Sequence, residues 1–144
     1  MKNAASLLRF TVTIIPVSLL TFALMQASAS AASSAPLSGD ATRGKTLFEK
    51  RCTGCHSLDA NRVGPAHRGV YGRKAGSAPG FDYSPGVKAS AVVWTEATMD
   101  KWLTSPQDFI AGARMGFRLS DPQQRADVIA FLKRESDPAL AQTK

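Results

Sequence analysis

Residues 52–56 read Cys-Thr-Gly-Cys-His and hold both cysteines of the chain. Two thiols two residues apart, with an imidazole directly behind, concentrate three reactive groups on one tight segment. The chain after them is equally constraining. From Ser57 to Ala91 glycine and proline recur as "VGP", "RGVYGRKAG", "APG" and "SPG", and no alternating strand pattern of useful length appears. Thirty-five residues of irregular chain in a small domain need something to wrap. The expectation is an all-α domain, three to five short helices and a long loop, with no sheet.

The start of the chain has the layout of a secretory signal peptide. Lys2 and Arg9 precede an apolar run from Phe10 to Met25, and Ala27-Ser28-Ala29 and Ala29-Ser30-Ala31 both read as cleavage sites. Pro16 breaks that run, which is short for a span needing about 20 residues. The expected organisation is therefore a cleaved signal over 1–31, a flexible linker over 32–37, one domain over 38–136 and a tail over 137–144. All eleven acidic residues and sixteen of the eighteen Lys and Arg lie after residue 31, a balance of +5. No long run of like charge occurs, which argues against nucleic acid. An exported, moderately basic protein suits partner proteins with acidic surfaces.

Helix signals bracket the irregular stretch. Ser38 and Asp40 are start residues for a helix over 41–50 that runs straight into the cysteines. Thr95 is an N-cap, with Trp94 and Met99 placed as a hydrophobic staple. Met99, Trp102 and Leu103 then share a face until Ser105-Pro106 ends the helix and starts a one-turn helix through Phe109. Asp121-Pro122 opens the last helix, with Ser120 and Gln123 as an alternative capping box. Val128, Ile129 and Leu132 form its apolar stripe, Phe131 lies beside it, and the helix ends near Glu135.

The two thiols admit four readings. A disulfide across so small a loop contributes little chain entropy. A thioredoxin-like pair wants a preceding strand, and none is indicated. A zinc site would need Cys52, Cys55, His56 and His67, with the two histidines eleven residues apart rather than at the usual close spacing. Covalent haem c attachment uses this spacing: both thiols reach one porphyrin edge, and the next imidazole lies under the iron. A second axial ligand would come from Met99, Met115 or His67. Met99 sits on the apolar face of a capped helix and reads as core, and His67 reads as a packing or partly exposed side chain. Met115, in "AGARMGF" between helices, is the better candidate.

Four segments in order, "GDATRGKTLFEKRCTGCHSL", "VGPAHRGVYGRKAGSAPGFDYS", "VVWTEATMDKWLTSPQDFIAGARM" and "RADVIAFLK", resemble the class I cytochrome c family, most closely its mitochondrial-type and bacterial cytochrome c2-like branch. The resemblance implies one haem c bound through Cys52 and Cys55, with His56 and Met115 as iron ligands. It implies that the Pro65 carbonyl orients His56, and that Arg73, Tyr83 and Trp94 meet the propionates. It also implies that Gly44 and Phe48 cross Val128 and Phe131 between the first and last helices. Three positions depart from the family's wording. Ala111 and Ala113 replace a proline and a hydroxyl residue before the distal Met, which bears on how firmly Met115 is held. Trp102 stands where tyrosine is frequent, near the Met sulfur. His67 stands where a leucine usually packs.

The function implied is a periplasmic one-electron carrier, not an enzyme, serving acidic redox partners such as an oxidase, reductase or dehydrogenase. It would be a monomer or part of a hetero-complex, with no membrane span after cleavage. Arg51, Lys101, Arg114 and Arg118 are candidates for steering. Two alternatives share the haem: a subunit held tightly by a periplasmic dehydrogenase, and a peroxidase-like protein formed if Met115 lets go.

Overall fold

The computed structural model describes residues 37–141. The expected signal peptide and all but the last residue of the linker lie outside the described residues. Among the described residues six helices occur in order: α1 (Ala41–Arg51), α2 (Pro85–Ala89), α3 (Glu96–Thr104), α4 (Pro106–Phe109), α5 (Pro122–Arg134) and α6 (Pro138–Ala141). No strand forms among the described residues; one isolated bridge joins Lys74 and Val93. None of the described helices is long and apolar enough to cross a membrane.

Local chemistry sets the main helix ends. Extended Asp40 accepts hydrogen bonds from the Thr42 and Arg43 amides at 2.7 and 2.9 Å, satisfying donors that the first turn leaves open. Thr95 and Thr98 cap α3 reciprocally, so a second threonine fills the place usually taken by Glu or Gln. Asp121 caps α5 and Pro122 supplies a pre-set first residue. Gln123, offered above as half of a capping box, instead donates to the Ser38 carbonyl at 3.0 Å.

The first and last long helices cross where Gly44 removes a side chain. A Cβ there would lie 1.9 Å from the Asp127 carbonyl oxygen and 2.9 Å from the Phe131 Cβ. Phe48 and Phe131 then meet with ring centroids 5.3 Å apart. Val128 and Phe131 are each 2 % exposed, and such burial contributes about 1.5–3 kcal/mol per side chain. Beside this crossing the buried Asp127 carboxylate accepts from Arg43 Nε and a second guanidinium nitrogen at 2.8 Å each. It also accepts from the Asp40 amide at 2.8 Å and from Gln123 Nε2 at 3.0 Å. A buried carboxylate is tolerable because its lone pairs are taken up in this way.

Five helices lie within 38–136 among the described residues, within the expected three to five, but two elements stand where the sequence suggested none. Within 57–91, read as wholly irregular, Ser84 turns extended, Pro85 takes the first helical position, and the Lys88 amide closes on the Ser84 carbonyl at 3.0 Å. Five residues are too few for a hydrophobic period, and "SPG" signals a turn as readily as a helix start. After Asp137, α6 forms inside the expected tail, its Ala139 amide donating to Asp137 Oδ1 at 2.9 Å.

Candidate functional site

Cys52 follows the last turn of α1, its amide donating to the Phe48 carbonyl at 2.8 Å. The Cys55 and His56 amides both return to the Cys52 carbonyl, at 3.0 and 2.8 Å, so the pentapeptide is one compact turn. The thiols are unbridged. Burial, and secondarily Cys55, pushes the Cys52 thiol up to about 11. At neutral pH it is therefore a protonated thiol, not the thiolate that redox exchange requires.

His56 is held on two sides. Its Nδ1 lies 3.0 Å from the Pro65 carbonyl oxygen. A carbonyl only accepts, so Nδ1 carries the proton and Nε2 keeps its lone pair. Burial lowers the His56 pKa, only partly offset by that hydrogen bond, and keeps the ring neutral. On another side the ring lies against Gly64, where a Cβ would be 2.1 Å from Cε1. The Gly64 amide in turn donates to the Cys55 carbonyl at 2.9 Å.

These groups border a cavity of ≈350 Å³. Cys52, Cys55, His56, Pro65 and Met115 all line it, as do Arg73, Tyr83, Trp94 and Trp102. The structure thus brings together all nine side chains singled out in the sequence. Met99 and His67 line it as well, so Met99 is both core, at 4 % exposure, and wall. Trp94 and Trp102 meet edge-on with centroids 5.3 Å apart.

The polar groups in this wall are few. Two guanidinium nitrogens of Arg73 donate to the Arg68 and Ala66 carbonyls at 3.2 and 2.9 Å, which fixes its orientation. Its Nε and the Ser84 Oγ are buried without a partner. An orphaned buried polar atom costs about 1–3 kcal/mol, and two on one cavity wall point to a ligand carrying acceptors. Tyr83 accepts from the Ala78 amide at 3.2 Å and has its own hydroxyl hydrogen left to donate. A ligand with a broad apolar body, an edge that meets two thiols and an acidic group that meets Arg73, Ser84 and Tyr83 fits this lining. Haem c has that chemistry.

The segment before Met115 is held by contacts other than the missing proline and hydroxyl. Ile110 and Ala113 are each 6 % exposed, and Gly112 takes φ +79°, the left-handed region that favours glycine. Gly86 of α2 lies so close that a Cβ would be 2.0 Å from the Ala111 carbonyl oxygen. Arg114 donates to the Asp82 carbonyl at 3.0 Å and approaches its carboxylate at 3.4 Å, while Lys88 pairs with the same carboxylate at 3.0 Å.

Sequence reasoning missed Gly64, Ser84, Gly86 and Asp82. "VGP" and "SPG" marked turns but carried no sign of which neighbour each residue would touch. His67, read as packing or partly exposed, lies directly beside His56, ring centroids 4.1 Å apart.

The family model for cytochrome c matches residues 41–135. Cytochrome c2 of Rhodomicrobium vannielii is 47 % identical over 103 residues, covering 69 % of this chain and 82 % of the relative. Cytochrome c of Euglena viridis is 42 % identical over 102 residues, covering 69 % of this chain and 100 % of the relative. Among solved structures, cytochrome cH from Methylobacterium extorquens superposes with a TM-score of 0.63 at 39 % identity, covering 66 % of this chain and 98 % of that one.

Proposed function

This chain belongs to the cytochrome c family, and we propose from that premise that it is an exported, periplasmic carrier with His56 and Met115 as its iron ligands. The coarser statements come with the family: it carries haem c through cysteine and is an electron-transfer protein, not an enzyme. When bound, the haem supplies a one-electron Fe(II)/Fe(III) couple.

Every other part of the work falls to the chain. Cys52 and Cys55 anchor the group at the end of α1, and His56 offers a neutral Nε2 whose direction is set by Pro65 and Gly64. Met115 offers a soft thioether from a segment clamped by Gly86 and Asp82, a donor that favours the reduced metal. Because the protein fixes these donors beforehand, little needs to move when charge changes. Arg73, Ser84 and Tyr83 take up the acidic edge. The contacts of Gly86 and Asp82 with 110–115 weigh against a peroxidase-like reading, which rested on Ala111 and Ala113 leaving Met115 loose.

Of the four basic residues named for steering, Arg114 is paired with Asp82, and Arg118 lies 3.7 Å from Asp108. Arg51 and Lys101 are exposed and make no ion pair among the described residues, and Arg51 borders the cavity. We assign the docking of acidic redox partners chiefly to these two.

The observation that carries this reading is the single cavity onto which both cysteines, His56 and Met115 open. Its test is the intact mass of the exported, denatured protein. A haem mass should remain on the wild-type chain and be absent from the Cys52→Ala/Cys55→Ala double variant, with the mature chain starting near residue 32. Retention of haem by the double variant would refute the anchoring. The mass of the native species separates a free carrier from a dehydrogenase subunit.

A further inference from the structure

We propose that His67 tunes the electron affinity of the site by sharing with His56 the single acceptor that orients the proximal imidazole, the Pro65 carbonyl. The inference rests on the reading of His56 as an iron ligand. The Nδ1 atoms of His56 and His67 lie 3.0 and 2.9 Å from that one oxygen. Each faces an atom that only accepts, so each Nδ1 carries its hydrogen. The rings meet edge-on, tilted at 62° with centroids 4.1 Å apart. Phe48 backs His67 at 5.8 Å between centroids, so His67 has little freedom to swing away.

The consequence follows from ordinary hydrogen-bond polarisation. A carbonyl accepting from an imidazole N–H draws that hydrogen outward and makes the opposite ring nitrogen a stronger donor to a metal. A second N–H on the same oxygen withdraws electron density from it and weakens the first bond. His56 thus becomes a less basic ligand than it would be with Pro65 to itself. A less basic ligand stabilises the oxidised, more highly charged metal less, so the site holds its electron more tightly. His67 touches His56 and Pro65 rather than the reacting atom, and it is a positioning residue.

The experiment compares haem-loaded wild type with His67→Leu and His67→Asn, and with His67→Met as a second apolar replacement should Leu not assemble. Asn keeps an N–H donor at about the reach of Nδ1, and Leu and Met do not. Two quantities are read: the equilibrium constant for reduction against a fixed redox partner, and the His56 ring resonances by NMR. The apolar variants should lower that constant by about three- to tenfold, the size of one ordinary hydrogen bond. Their His56 Nδ1 proton should move downfield as its bond to Pro65 strengthens, and the Asn variant should stay near wild type in both readings. No change in the apolar variants overturns the proposal. So does an equal change in the Leu and Asn variants, which would mark a packing effect. Ferric wild-type protein whose His56 ring resonances lack a paramagnetic shift overturns instead the ligand assignment beneath it.

Discussion

Gly64 lies flat against the His56 imidazole: a Cβ on Gly64 would stand 2.1 Å from Cε1, 2.5 Å from Nδ1 and 2.7 Å from Nε2. The ring cannot retreat while its Nδ1 stays bonded to Pro65. Gly64→Ala should therefore break the hydrogen bond or shift the 62–65 turn. Overpacking of this kind costs about 1–3 kcal/mol, and a domain of this size loses roughly 4–8 °C of Tm per kcal/mol. Thermal unfolding of the haem protein checks the expected drop. Gly54→Ala is the control, since nothing lies within 4 Å of a Cβ there.

The Arg43 guanidinium, more than any other group, holds the Asp127 carboxyl down to about 2 from its ordinary 3.8. A depressed carboxylate contributes stability that is fully present above its unfolded value and is lost as pH falls through its folded one. Asp127 should thus contribute on the order of 2 kcal/mol at neutral pH, fading between about pH 4 and pH 2. Asp127→Asn should be less stable than wild type at pH 7, and the gap should close across that window. Guanidinium melts at a series of pH values test this. A gap that stays constant to pH 2 would mean that the Arg43 pair contributes nothing to the acid limb.

Gly86 and Asp82 are the supports of the Met115 segment, and they should differ in strength. Gly86→Ala places a Cβ against the backbone at Ala111, which cannot swing aside as a side chain would. Asp82 is exposed, and losing its pairs to Arg114 and Lys88 should matter less. With Met115 as the proposed second ligand, imidazole binding to the ferric protein would report how readily it yields its place. The rate should rise about tenfold or more in Gly86→Ala, in line with the 1–3 kcal/mol of an overpacked contact, and only about two- to fivefold in Asp82→Asn.

Charge steering predicts a salt dependence. The second-order rate of electron exchange with an acidic partner should fall as ionic strength rises, because exposed charges are screened beyond about 8–10 Å at physiological salt. Arg51→Glu and Lys101→Glu should lower the low-salt rate and leave the high-salt rate almost unchanged. A flat salt profile in the wild type would remove steering from the account.

What the sequence made legible was local. Asp40, Thr95 and Asp121-Pro122 cap helices through atoms two or three residues away, so the ends of α1, α3 and α5 could be read within a residue. The cysteine–histidine turn is equally self-contained. Gly64, Ser84 and Gly86 carry requirements set by partners or space that the fold brings near, and no spacing in the chain announces them. The α2 helix was hidden for a second reason: one turn has no periodicity. His67 shows the limit most clearly, since its closeness to His56 exists only after residues 57–66 have folded back on the turn, the Gly64 and His67 amides closing on the Cys55 and Ser57 carbonyls at 2.9 and 3.0 Å.

His56 and Met115 together are proposed to hold the iron. The most direct measurement is the far-red absorption of the ferric protein, where sulfur-to-iron charge transfer gives a weak band that bis-histidine and high-spin haems lack. The wild type should show the band near neutral pH, and Met115→Ala should lose it while keeping its covalent haem. A wild type without the band, or a Met115→Ala variant that retains it, would rule out Met115 as the sulfur ligand of the iron.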